Sequence, residues 1–154
     1  MNHQNDLKLI DYLTSELYKA ICFEVGGHPS VEKLRELFIP TANMIRNDDD
    51  SPEIMTVNDF IKSYTERISD GTIKSFYEGE LKNITEIFGT IAHRFSTYET
   101  KFELTNPEPF SIGINSIQYI KIGKNWKISG IVWNNQNDKK KYLINIYLTN
   151  SRLT

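Results

Sequence analysis

The side chains best able to do acid–base chemistry lie in the second half of the chain. His93 is the only one of three histidines placed in a predicted strand. A pocket imidazole can take or give a proton near neutral pH; the alternative is a hydrogen-bonded histidine that only shapes its surroundings. Ser116 and Gln118 stand two residues apart, so a strand carries both on one face. There they can orient a ligand carbonyl or hydroxyl, or else satisfy each other and a buried water. Trp133 can stack on a planar ligand or serve as an ordinary packing aromatic.

Other chemistry is missing from the pattern. Three well-separated histidines and one cysteine give no metal-ligand spacing. No phosphate loop, nucleophile elbow or dinucleotide fingerprint occurs, and nothing calls for a cofactor. The run Asp48-Asp49-Asp50 lacks the glycine and closing glutamate of a calcium loop and reads as solvated. With 18 basic against 20 acidic residues the net charge is −2, which gives no general attraction for nucleic acid or an anionic membrane. No apolar stretch is long enough to span a bilayer and the amino terminus lacks a signal-peptide core, so a cytoplasmic protein is expected. The single Cys22 agrees with a reducing compartment and reads as a buried inert thiol.

These side chains must be positioned by about 154 residues of ordinary globular composition, 39% hydrophobic and 25% charged, enough for one domain with its own core. Leu7, Ile10, Leu13, Leu17 and Ile21 recur at helical spacing after Asp6, a plausible N-cap, and Gly26-Gly27 closes this first helix. Val31, Leu34, Leu37 and Phe38 mark a short second helix stopped by Pro40, followed by a strand over Thr41–Arg46. Residues 47–52 read as a loop. Thr56 or Asn58 starts a third helix with Val57, Phe60, Ile61, Tyr64 and Ile68 inward. From Thr72 the period changes to that of strands: Ile73 to about Ile87, Thr90–Leu104, Phe110–Ile122 and Trp126–Asn134. Helices first and a meander after them predict an α+β domain over 1–154, with its core in 7–135 and residues 136–154 as an extension or edge strand.

This order resembles the nuclear transport factor 2-like superfamily, the cystatin-like cone that includes ketosteroid isomerases, SnoaL-like cyclases and scytalone dehydratases. The likeness rests on GINSIQYIKIGKNWKISGIVWNNQ as the final strand pair, EIFGTIAHRFSTYE as the strand before it, and LRELFIPTANMI as the passage from helix to first strand. It implies three helices on a strongly curved antiparallel sheet with a pocket at the wide end. A turn at Gly123-Lys124-Asn125 pairs Gln118 roughly with Ile131 and Ser116 with Trp133, and the resemblance makes their face the concave one. The same match turns Ile91, His93 and Phe95 inward. Tyr18 lies near the helix-borne tyrosine of the isomerases, as a donor or as plain packing.

Where the isomerases carry a carboxylate base this chain has Arg46, so that base does not carry over. Arg46 can bind a ligand carboxylate bidentately or pair with a nearby acid. The expected function is therefore binding of a small, mostly apolar ligand, with His93 moving a proton if there is isomerase, cyclase or dehydratase chemistry. A non-catalytic dimerisation or protein-interaction module is the alternative. Ile114, Ile117, Tyr119, Trp126 and Ile128 are left for the convex face, which would be covered by a second copy.

Overall fold

The computed structural model describes residues 3–136. Three helices, α1 (His3–Ile21), α2 (Val31–Leu37) and α3 (Val57–Ser69), pack on a six-stranded sheet of β1 (Phe38–Arg46), β2 (Glu53–Thr56), β3 (Tyr77–Phe88), β4 (Ile91–Lys101), β5 (Ser111–Ile122) and β6 (Asn125–Asn135). The strand order is β2-β1-β6-β5-β4-β3. All neighbours are antiparallel except β1 and β6, which run parallel. The architecture is the expected α+β one, with a mixed sheet. The extension or edge strand expected over 136–154 lies, past residue 136, outside the described residues. No helix among the described residues is long and apolar enough to cross a membrane.

Local chemistry explains the elements. The α1 spacing buries Ile10, Leu13, Leu17 and Ile21 on one face. Asp6 is not the N-cap, because the helix begins at His3. Its buried carboxylate instead accepts from Lys121 Nζ at 2.8 Å and Trp126 Nε1 at 2.9 Å, tying α1 to the β5–β6 hairpin. Those two bonds, that of Lys121 first, hold the Asp6 carboxyl below its usual range. Thr56 caps α3: its hydroxyl accepts from the Asp59 amide at 3.0 Å while the Asp59 carboxylate accepts from the Thr56 amide at 3.1 Å, a reciprocal capping box. Pro40 does not end the second helix but falls within β1, at the irregular stretch between Phe38 and Asn43 where no ladder donor is needed. The four-residue β2 went unread because it merges directly into the cap of α3.

Two hairpins set the register of the long strands. Each turns on two residues, Gly89-Thr90 and Gly123-Lys124, with φ of 58° and 63° at the glycines, the positive value that a glycine-first two-residue turn requires. Bulges interrupt the ladders at Leu81 in β3 and Ser129 in β6, and extra residues of this kind add twist and curl a sheet around its helices. The core between the layers contains Ile10, Leu34, Ile117, Tyr119 and Ile128.

Candidate functional site

One row across the inner face of the sheet organises the site. Asn83 pairs with Ser96, Ser96 with Asn115, Asn115 with Trp133 and Trp133 with Arg46. One row toward the open end, Glu80 pairs with Tyr98 and Tyr98 with Gly113; beyond it Glu78 pairs with Thr100. A side chain on Gly113 would overlap the Tyr98 phenol, so the glycine is what lets that ring lie flat across β5. From above, α1 lowers Tyr18 onto this surface. Its hydroxyl lies 2.6 Å from Ser96 Oγ and 3.0 Å from Asn115 Nδ2.

A cavity of about 790 Å³ opens between this surface and α3, within the usual size of small-molecule sites. Its wall includes an aromatic arc. Trp133 meets Phe60 edge-on at 6.1 Å, Phe60 stacks on Tyr64 at 5.7 Å, Tyr64 meets Phe76 at 6.0 Å, and Phe102 and Phe110 continue the series. Arg46, Asp48, Asp49 and Arg67 are also among its lining residues; Arg46 is paired with Glu53 and, at 4.0 Å, with Asp48.

The chemically distinctive group is Glu78. Burial pushes its carboxyl up to about 7, against the lowering effect of the Asn115 amide, whose Nδ2 donates to Oε1 at 3.2 Å. Glu78 forms no ion pair among the described residues. Burial also drives the Tyr18, Tyr64 and Tyr98 phenols up, so all three stay protonated across the ordinary pH range. An acid that is half ionised near neutrality, in an aromatic-walled cavity, can take a proton from a bound molecule and return it.

Of the residues singled out from sequence, Tyr18, Arg46, Ile131 and Trp133 line this cavity. Ile91, His93, Phe95, Ser116 and Gln118 lie on the opposite face of the sheet, and the inward assignment of these five is corrected. The His93 side chain is 53% exposed and its Nε2 sits 2.9 Å from Glu86 Oε1 on the neighbouring strand, so it cannot reach a ligand in the cone. The reason is a one-residue difference in pairing. Gln118 stands opposite Gly130 and Ser116 opposite Val132, while Ile131 faces Ile117 and Trp133 faces Asn115. Antiparallel partners share a face, so a slip of one exchanges the two faces of a strand. Ile117, Tyr119, Trp126 and Ile128, expected on the convex side, are therefore buried core, and Ile114 alone of that group faces outward.

Sequence reasoning missed Glu78, Asn115 and Tyr98. A signal existed for the first: Glu78 and Glu80, two apart in a strand-like run, must share a face, and two acids on the inner face of a sheet need an explanation.

No protein-family model and no curated protein matches the sequence. Solved structures do. The chain is similar to a Nostoc punctiforme protein of unknown function with a cystatin-like fold (11% identity, 90% of this chain and 96% of that one, TM-score 0.70). A nuclear transport factor 2-like protein of unknown function from Silicibacter pomeroyi is similar at 12% identity over 88% of this chain and 100% of that one, with a TM-score of 0.62. A Novosphingobium aromaticivorans protein proposed to be a scytalone dehydratase is similar at 16% identity over 87% and 86%, with a TM-score of 0.60. The chain thus has the cystatin-like fold of the nuclear transport factor 2-like proteins.

Proposed function

We propose that this protein binds a small, mostly apolar molecule in the cone cavity and exchanges a proton with it through Glu78, as an isomerase, cyclase or dehydratase would. The observation that carries this reading is a carboxyl at about 7 inside a cavity of about 790 Å³ walled by aromatic rings. Glu78 takes the place that the sequence reading offered to His93. As a carboxylate it removes a proton from the bound molecule, and as an acid it hands the same proton back, so the side chain ends each cycle unchanged. The similar fold of the protein proposed to be a scytalone dehydratase supports chemistry of this general kind. Cys22, a partly buried free thiol, suits a cytoplasmic setting.

Titrating the protein with 2-naphthylmethanol while following its NMR spectrum tests the cavity. The expected result is saturable shifts at Asn115, Ile131 and Trp133 with His93 and Gln118 unmoved; shifts confined to the outer face, or none, overturn the reading.

A second copy of the chain is proposed as the partner of the outer sheet face. The row Ile84, Phe95, Ser116, Val132 and Ile45 crosses five strands there, and Ile91 and Phe95 are 57% and 45% exposed. A stripe that crosses that many strands and is apolar at all of them but Ser116 is what a symmetric pair covers. Sedimentation equilibrium should give twice the chain mass for the wild type and the monomer mass for Phe95→Glu with unchanged circular dichroism. A monomeric wild type at 0.1 mM, a concentration of the order at which weak pairs associate, rules the pairing out.

A further inference from the structure

Hydrogen-bond direction in the cavity wall narrows the class of ligand. The Glu80 carboxylate, paired with Arg94, also receives Asn83 Nδ2 at 2.9 Å and the Ser96 hydroxyl at 2.5 Å. A carboxylate so engaged only accepts. The Ser96 proton is therefore spent on Glu80, and Ser96 Oγ is left to accept from the Tyr18 hydroxyl. The Tyr18 proton thus points away from the cavity, and its oxygen accepts from Asn115. Asn115 has two amide protons, and both are used, one on Tyr18 and one on Glu78.

The same direction holds for the other hydroxyls of the wall. Tyr64 donates to the Ile21 carbonyl at 2.6 Å and Tyr98 to Asn135 Oδ1 at 2.6 Å, while Ser111 donates to the Gln136 carbonyl at 3.3 Å. What these groups turn toward a guest is lone pairs, together with a carboxylate that lacks a cation.

Resting on the reading that the cone binds a small molecule, we propose that the site selects an aromatic or apolar body ending in a hydrogen-bond donor, best a protonated amine seated between Glu78 and Tyr18. An ammonium offers donors to Glu78 and to the Tyr18 oxygen and supplies the missing counter-charge. The ring faces of the wall add cation–π attraction. Seated between Glu78 and Tyr18, a ketone or carboxylate finds acceptors facing its own acceptors, and leaves buried groups unpaired. Of the two arginines that also line the cavity, Arg46 and Arg67, the first is already paired with Glu53 and Asp48.

Four probes sharing a naphthyl body test the assignment: 2-naphthylmethylamine, 2-naphthylmethanol, 2-acetylnaphthalene and 2-naphthoate. Their dissociation constants are measured by calorimetry on the whole protein at pH 8. The amine should bind about tenfold or more tighter than the ketone and the carboxylate, with the alcohol between. Glu78→Gln should erase the advantage of the amine. Ser96→Ala frees the Tyr18 proton to turn into the cavity, so it should tighten the ketone, a change that a merely structural role of Ser96 would not produce. Equal affinities for all four, a ketone or carboxylate that outranks the amine, or an amine preference that survives Glu78→Gln overturns this inference and leaves the binding site standing. Failure of all four to bind removes the binding site and the inference together.

Discussion

Replacing Arg94 with alanine is expected to lower the unfolding free energy by about 3–5 kcal/mol, the scale for stripping one partner from a buried ion pair. The Arg94 side chain is 1% exposed, yet its guanidinium serves three partners at once. Nε donates to Thr85 Oγ1 at 2.7 Å, one amino group donates to Asp11 on α1, and the other lies 3.4 Å from Glu80 on β3. The residue therefore pins α1 to the inner face of the sheet and cancels the Glu80 charge. Its loss leaves a partly buried carboxylate without a counter-ion, which costs far more than the lost attraction of an exposed pair. Urea denaturation followed by circular dichroism measures the change. Glu80→Gln in the Arg94→Ala background should recover part of the loss, because it removes the stranded charge. A loss below about 1 kcal/mol, the range of surface pairs, would show that the cluster does not act as a buried network. Arg94→Lys should fall between, since an ammonium keeps the charge but cannot reach all three partners with a planar fork.

Stability should also fall as pH rises, through Glu78. Its carboxyl sits at about 7 in the folded protein against an ordinary 4.5. Between those values the folded state holds a proton that the unfolded chain has released. Raising the pH through this window therefore favours unfolding, and the penalty is complete above about pH 7. The difference between the two values corresponds to roughly 3 kcal/mol if burial acts in full, and to less where the cavity admits water. In the comparison that isolates this group, wild type loses roughly 2–3 kcal/mol relative to Glu78→Gln between pH 5 and pH 8. Parallel stability curves for the two proteins would show that Glu78 titrates normally and would remove the basis for its acid–base role. Saturating 2-naphthylmethylamine should flatten the wild-type curve, because a bound cation holds Glu78 in its charged form.

The elements and their order were legible in the residues. The α1 stripe Ile10, Leu13, Leu17 and Ile21, the cap at Thr56, and the two glycine turns are local signals, and local signals are what a sequence states directly. The short β2 was hidden because four residues adjoining a helix cap carry too little period to read. Of the residues offered from sequence, Tyr18, Arg46, Ile131 and Trp133 line the cavity, while Glu78 and Asn115 were passed over in favour of His93, Ser116 and Gln118.

That difference has one physical origin. Alternation along β4 and β5 separates two sets of side chains without saying which set faces the helices. Here hydrophobicity is a poor guide, because β4 turns Arg94, Ser96 and Tyr98 inward to meet Asp11 and Tyr18, and leaves Ile91 and Phe95 outside. The choice rests on the bulge at Ser129 and on cross-strand partners more than ten residues away in the chain. The sequence by itself determined an α+β chain of three helices and long hairpins with a late aromatic strand. Only the tertiary structure decided which face became the cavity, and with it that Glu78 lines its wall, since a shift of one residue in pairing exchanges the inside of a strand for its outside.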